Sequence, residues 1–156
     1  MQTNTLKIIV ISIALFFFLA QLLIRIIKLR RDRGKDEWTE VDDMEGLEFE
    51  NWCALLLRQN GFQNVTVTKG SYDQGVDIHA QKDEIKYAIQ CKCYSSALGN
   101  TPIQEVFTGK TIYRCHVGVV MTNSYFTENA KKAAEATGIL LWDRDRLEKM
   151  MENADR

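Results

Sequence analysis

The chain lacks an excess of positive charge. Its 20 Lys and Arg face 21 Asp and Glu, a formal net charge of −1. A protein that holds nucleic acid by electrostatics alone shows a basic footprint, and no global one is present here. The four cysteines, Cys53, Cys91, Cys93 and Cys115, form no C-x-x-C pair, which argues against a zinc knuckle. They fall within apolar runs and read as small buried hydrophobes of a reducing compartment. Internal repeats are absent, as is any low-complexity stretch beyond one apolar run near the start. No segment reads as a separate DNA-recognition domain.

The balanced total conceals an asymmetry. Residues 1–35 hold seven Lys/Arg and one Asp, net +6, whereas residues 36–156 hold 13 Lys/Arg and 20 Asp/Glu, net −7. Eight of those acids, and no base, lie in 36–50, so from residue 51 onward the balance is 13 against 12. Residues 8–24, "IIVISIALFFFLAQLLI", are apolar apart from Ser12 and Gln21. With Ile26, Ile27 and Leu29 the run reaches about 20 residues, enough for a hydrocarbon core of ~30 Å. A cleaved signal peptide carries its positive charge before the run and a small-residue site after it. Here only Lys7 precedes it, and Arg25, Lys28, Arg30, Arg31, Arg33 and Lys35 follow. The expectation is a single-pass transmembrane anchor over 1–30 in the inner or cytoplasmic membrane, with the carboxyl-terminal side in the cytoplasm and the basic flank against anionic headgroups.

The total of 156 residues leaves room for one compact domain of about 100–150 residues besides this appendage. Residues 31–43 are charged and pattern-free and read as a linker, leaving 44–156 as the domain. Within it, 44–60 reads as a helix, capped by Asp42 or Asp43 and ended by Gly61. "VTVT" (65–68) reads as a strand. "VDIHAQ" (76–81) and "IKYAIQCKCY" (85–94) read as a hairpin. Thr101-Pro102 opens a helix with Gln104 placed for a capping box. "HVGVVMT" (116–122) is an uncharged, central strand. A helix from Thr127 to Gly138, a strand at 139–142 and a last helix from Asp143 complete the domain. The fold class is α/β: a mixed sheet flanked by helices, in the order αβββαβ with an αβ extension.

Polar residues interrupt the hairpin. Strand alternation puts Tyr87, Ile89, Cys91 and Cys93 on one side and Lys86, Ala88, Gln90 and Lys92 on the other. The same rule sets Val76, Ile78 and Ala80 opposite Asp77, His79 and Gln81. One face is expected to be apolar, and the other to gather Asp77, Gln90 and Lys92. On the preceding helix, with Glu50 at zero, Leu47 falls at about 60°, Ala54 at about 40°, Leu57 at about −20° and Cys53 at about −60°. Glu50 thus lies inside the apolar arc, while Glu48, at about 160°, faces water. A carboxylate turned toward the core needs an ion partner or a cation. Two carboxylates, an amide oxygen and a lysine suit a hard cation that keeps several waters, and hence metal-assisted phosphodiester hydrolysis. The same residues also read as scattered polar positions on an exposed hairpin, with Glu50 in an ion pair to Lys92 or Lys69. His79 reads as a solvated strand histidine, and His116 carries no assignment.

The stretch "GLEFENWCALLLRQNGF…VTVTKGSYDQGVDIHAQKDEIKYAIQCKCY" resembles the catalytic domain of Mrr-type restriction endonucleases, members of the PD-(D/E)xK nuclease superfamily. The likeness continues through "VGVVMTNSYFTENAKKAAEATGILLWDRDRLEKMM" and covers about 44–151. It implies a restriction-endonuclease-like core with Glu50, Asp77, Gln90 and Lys92 as the catalytic set. Mg²⁺, or Mn²⁺, would be held by Asp77, Gln90, the Cys91 carbonyl and Glu50. DNA would be the partner, and two-strand cleavage would call for a homodimer. Lys69, Ser71 and Tyr72, before Asp77, read either as phosphate contacts or as ordinary loop residues. A Gln at position 90 fits the Mrr-like members, although the wider superfamily carries Asp or Glu there and so one more negative charge. The alternative is a nuclease-fold module that holds DNA or protein at the membrane without cutting.

Overall fold

The computed structural model describes residues 2–68 and 74–154, and only the backbone for residues 2–12, 14 and 30–37. Two compact units are present, Met1–Glu40 and Val41–Arg156.

The first unit is helical. Helix α1 runs from Gln2 to Asp42. It therefore includes most of the segment expected to be an irregular linker. Residues 31–42 contain no proline and are rich in Lys, Arg and Glu, which favour helix, with Gly34 the single weak position. Large apolar side chains from Ile13 to Leu29 are exposed around this helix, Phe16 by 69% and Ile24 by 66%. Among the described residues no helix is long and apolar enough to cross a membrane. The anchor expected over 1–30 finds no support there, and the side chains of 8–12 and 14 in its apolar run lie outside the described set.

The second unit is a three-layer α/β domain. Helix α2 (Gly46–Gln59) leads into β1 (Gln63–Val67), β2 (Ile78–Lys82) and β3 (Ile85–Lys92). Then come α3 (Thr101–Ile112), β4 (Val117–Thr122), α4 (Glu128–Thr137), β5 (Leu140–Trp142) and α5 (Arg144–Ala154). The five strands lie in the order β1-β2-β3-β4-β5. The first three are antiparallel, and β3, β4 and β5 are parallel. The mixed sheet and its element order agree with the sequence reading.

Several ends differ from expectation. Glu48 accepts a hydrogen bond from the Glu45 amide at 3.1 Å, so α2 is capped there and not by Asp42 or Asp43. Asp42 instead receives both terminal nitrogens of Arg144, at 2.9 and 3.0 Å. Helix α3 starts from Asn100, whose carbonyl accepts the Ile103 and Gln104 amides. Thr101 is thus already helical, and its box with Gln104 does not form. Helix α4 follows the sequence reading: the Thr127 hydroxyl accepts the Ala130 amide at 3.2 Å, and Gly138 closes it in the left-handed conformation.

Both faces of the sheet are covered. On one, α2 and α5 bury Phe49, Cys53, Leu57, Ile89, Met121 and Leu147. On the other, α3 and α4 cover Val76, Ala88, Ile103, Val106 and Val120. The expected division of the hairpin into one apolar and one polar face is therefore corrected. Ala88 is fully buried and Gln90 is 3% exposed, because α3 lies over them. Val76 joins Ala88 in this second core, not Ile78. Strand β2 begins only at Ile78, so the two-residue alternation does not extend back to Val76.

The candidate active site

The site forms where β3 ends and β2 begins. The strands are antiparallel with Ile78 opposite Ile89, so the residue before Ile78 meets the residue after Ile89. That pair is Asp77 and Gln90. Gln90 Nε2 donates to Asp77 Oδ2 at 2.5 Å, and the Cys91 amide donates to the same oxygen at 2.6 Å. Asp77 is 7% exposed. A carboxylate in so dry a place is tolerable because hydrogen bonds replace its water. Gln90 Oε1 is buried with no hydrogen-bond partner. Such an orphan costs about 1–3 kcal/mol unless a donor or cation meets it.

Gly75 explains the G-x-D spacing. Its φ is +76°, a backbone state that suits glycine. A Cβ there would stand 2.6 Å from Glu105 Cβ and 2.7 Å from the Glu105 carbonyl carbon. The loop thus lies directly on α3 and delivers Asp77 two residues later.

Lys92 sits on the same side of β3 as Gln90, at its carboxyl end. Its Nζ is 3.7 Å from Glu105 Oε2. Sequence reasoning missed Glu105, though a signal existed: it lies three residues after Pro102 and four before Gly109, both buried, which puts it at the edge of the packed side of α3.

Glu50 is half-buried on α2. The buried arc holds Phe49, Cys53, Ala54, Leu56 and Leu57, while Leu47 is 63% exposed. Leu47 is therefore corrected from core to surface, and Glu50 lies near the margin of the arc, between Leu57 and Ala54. Glu48 is exposed, as expected. The Cys91 thiol is pushed well above its ordinary pKa by burial first, then by Cys53 and the charges of Asp77 and Glu50.

Beyond Lys92 the chain is held by Asn123, whose Oδ1 accepts the Tyr94 amide at 2.8 Å while its Nδ2 donates to Asp42 at 2.9 Å. His79, read as a solvated strand histidine, is half-buried: its ring packs edge-on against Tyr113 at 4.7 Å, and burial lowers its pKa. His116 accepts the Lys86 amide. Lys69, Ser71 and Tyr72 lie outside the described residues.

Among the described residues no three His, Cys, Asp or Glu side chains gather to hold a metal ion. The expected set is of another composition, two carboxylates with an amide and a main-chain oxygen. The orphaned Gln90 Oε1 beside Asp77 fits a hard, oxygen-seeking cation.

A five-stranded mixed sheet between helices, with Gln and Lys at the end of its third strand and Asp just before its second, defines a restriction-endonuclease-like α/β domain. The chain belongs to the restriction endonuclease family: the model of the Mrr catalytic domain matches residues 41–151. A curated relative, an uncharacterised protein of Archaeoglobus fulgidus, is 30% identical over 100 residues, covering 56% of this chain and 55% of the relative. The chain thus spans about half the length of that relative. Among solved structures, a protein of unknown function superposes with a TM-score of 0.54 at 22% identity, over 66% of this chain and 65% of its own. The DNA modification-dependent restriction endonuclease AspBHI gives 0.58 at 19% identity, over 78% of this chain and 35% of its own. MspJI restriction endonuclease, solved with a 27-mer oligonucleotide, gives 0.55 at 16%, over 76% of this chain and 30% of its own. At these identities the structures establish the fold.

Proposed function

We propose that the domain is a divalent-metal-dependent endodeoxyribonuclease, held at a membrane by its amino-terminal helix. The observation that carries the reading is the buried Asp77–Gln90 pair beside Lys92, with one amide oxygen left unmatched. Asp77, Gln90 Oε1, the Cys91 carbonyl and Glu50 would hold Mg²⁺ or Mn²⁺. When bound, the ion supplies an activated water and neutralises charge on the phosphodiester. Lys92 orients the attacking water or stabilises developing negative charge. Lys69, Ser71 and Tyr72 would supply phosphate contacts.

The test is nicking of supercoiled plasmid by the full chain in detergent with Mg²⁺, Mn²⁺ or EDTA. Metal-dependent nicking supports the reading, and none with either metal overturns it. The second reading, a non-cutting module that holds DNA or protein, is favoured by the amide at position 90 and by the near-neutral balance of 13 bases to 12 acids from residue 51 onward. Retention of plasmid without nicking selects it.

Membrane attachment rests on the apolar run at 8–24 and on the side chains from Ile13 to Leu29 that α1 leaves exposed. The chain is expected in carbonate-washed membranes, with a cysteine placed at Asn153 shielded from an impermeant thiol reagent in intact cells. Recovery in the soluble fraction overturns the attachment, and labelling before lysis overturns the orientation.

Glu50 and Glu48, two residues apart, separate ligand from cap. Binding at 100 times the dissociation constant adds about 2.7 kcal/mol of stability. Glu50→Gln, losing about tenfold in Mg²⁺ affinity, forfeits about 1.4 kcal/mol of that increment. Glu48→Gln leaves the increment whole. Equal Mg²⁺ increments in wild type and Glu50→Gln, read from melting with Mg²⁺ and with EDTA, remove Glu50 from the site.

A further inference from the structure

Among the described residues, two buried side-chain oxygens have no hydrogen-bond partner: Gln90 Oε1 and Glu105 Oε2. Native interiors seldom leave such acceptors unmatched. Gln90 precedes Lys92 by two residues on the same side of β3, and Glu105 Oε2 stands 3.7 Å from the Lys92 ammonium. That separation makes an ion pair that stops short of a hydrogen bond.

Glu105 is also fixed in place by its backbone. It stands in the second turn of α3, and the Gly75 loop packs on its Cβ and carbonyl group. The contact that sets Asp77 therefore sets Glu105 as well. Lys92 is the opposite case. Its ammonium ends a flexible four-carbon stem, and 28% of its side chain is exposed. A point charge on such a stem needs an external reference to be aimed.

We infer that Glu105 is a positioning residue of the site, its carboxylate holding the Lys92 ammonium beside the Asp77–Gln90 pair. This rests on the nuclease reading above, because Glu105 acts on the reaction only through Lys92. Although the Glu105 Oε2 atom is buried, the two side chains are 28% and 39% exposed, so the pair contributes little to stability; its effect is on where Lys92 stands when the phosphodiester arrives.

The experiment compares the full chain with Glu105→Gln, Glu105→Asp, Lys92→Ala and the Glu105→Gln/Lys92→Ala double variant in single-turnover nicking. Glu105→Gln lowers the maximal rate by about tenfold or more through misplacement of Lys92, with little change in the DNA concentration at half-maximal rate. Glu105→Asp, which keeps the charge, recovers part of the loss. In the Lys92→Ala background Glu105→Gln has no further effect, since residues acting as one unit are non-additive. Losses that multiply overturn the inference, as does full activity in Glu105→Gln. The Lys92 Nζ resonance in ¹⁵N-lysine-labelled protein provides a readout apart from cleavage. It shifts in Glu105→Gln and stays in place in Glu148→Gln, an exposed change on α5. An unmoved resonance overturns the pairing whatever the activity. A wild-type chain that nicks nothing overturns the nuclease reading and the catalytic role with it, while the resonance still reports whether the two side chains pair.

Discussion

Lys92→Ala lowers plasmid nicking by roughly 10²-fold or more, the scale on which a positioned proton-transfer or charge-stabilising group acts. The same substitution leaves unfolding free energy within about 1 kcal/mol of wild type. The two expectations follow from one geometry. Lys92 stands at the end of β3 with 28% of its side chain exposed, and its ion pair to Glu105 spans 3.7 Å. Exposed pairs of that length contribute about 0–1 kcal/mol to folding. Removal of the ammonium therefore costs the fold little. It deprives the Asp77–Gln90 pair of the neighbouring positive charge. Parallel nicking and urea-unfolding measurements decide the matter. Nicking at the wild-type rate would return Lys92 to the solvated surface. An equal collapse of stability and nicking would make it a structural residue.

The elements were legible where local physics suffices. The uncharged run at 116–122 reads as a central strand, and β4 spans Val117–Thr122 of it. Thr127 and Gly138 bracket α4 because each satisfies a helix end with its own chemistry. Alternation put Asp77 and Gln90 on one side of the hairpin, and the register with Ile78 opposite Ile89 brings them together. What escaped depends on contacts between elements distant in sequence. No pattern within 85–93 announces that α3 will cover Ala88 and Gln90, so a face expected to be polar and open became a second core. The phase of α2 was right to within part of a turn. The sheet selects which apolar residues are buried, and it leaves Leu47 in solvent. Asp42 was read as a cap because its partner, Arg144, lies 102 residues away. Glu105 is the same kind of case at the site itself. Its relation to Lys92 exists only once α3 is laid across β3.

Gly75→Ala destabilises the domain by about 2–5 kcal/mol. Two costs combine. At φ +76° a side chain meets its own backbone, which for an L-residue costs roughly 1–2 kcal/mol. The added Cβ would also lie 2.6 Å from Glu105 Cβ, 2.7 Å from its carbonyl carbon and 2.8 Å from its carbonyl oxygen. Two of those three atoms are main chain of α3 and cannot turn aside as a side-chain tip can. Either the helix or the loop must move, and overpacking of this kind costs about 1–3 kcal/mol. Gly46→Ala is the control. Nothing lies within 4 Å of its Cβ and its φ is ordinary, so it is neutral or gains up to about 1 kcal/mol by restricting the unfolded chain. The difference between the two variants in urea unfolding isolates the close approach. Movement of the loop also displaces Asp77, two residues on, and Glu105 on the opposite side of the contact. Mg²⁺ therefore stabilises the folded fraction of Gly75→Ala less than it stabilises wild type. Identical unfolding of the Gly75 and Gly46 variants would show that the loop does not lie on α3. A destabilised Gly75→Ala with an intact Mg²⁺ increment would separate the packing of this glycine from the placement of Asp77.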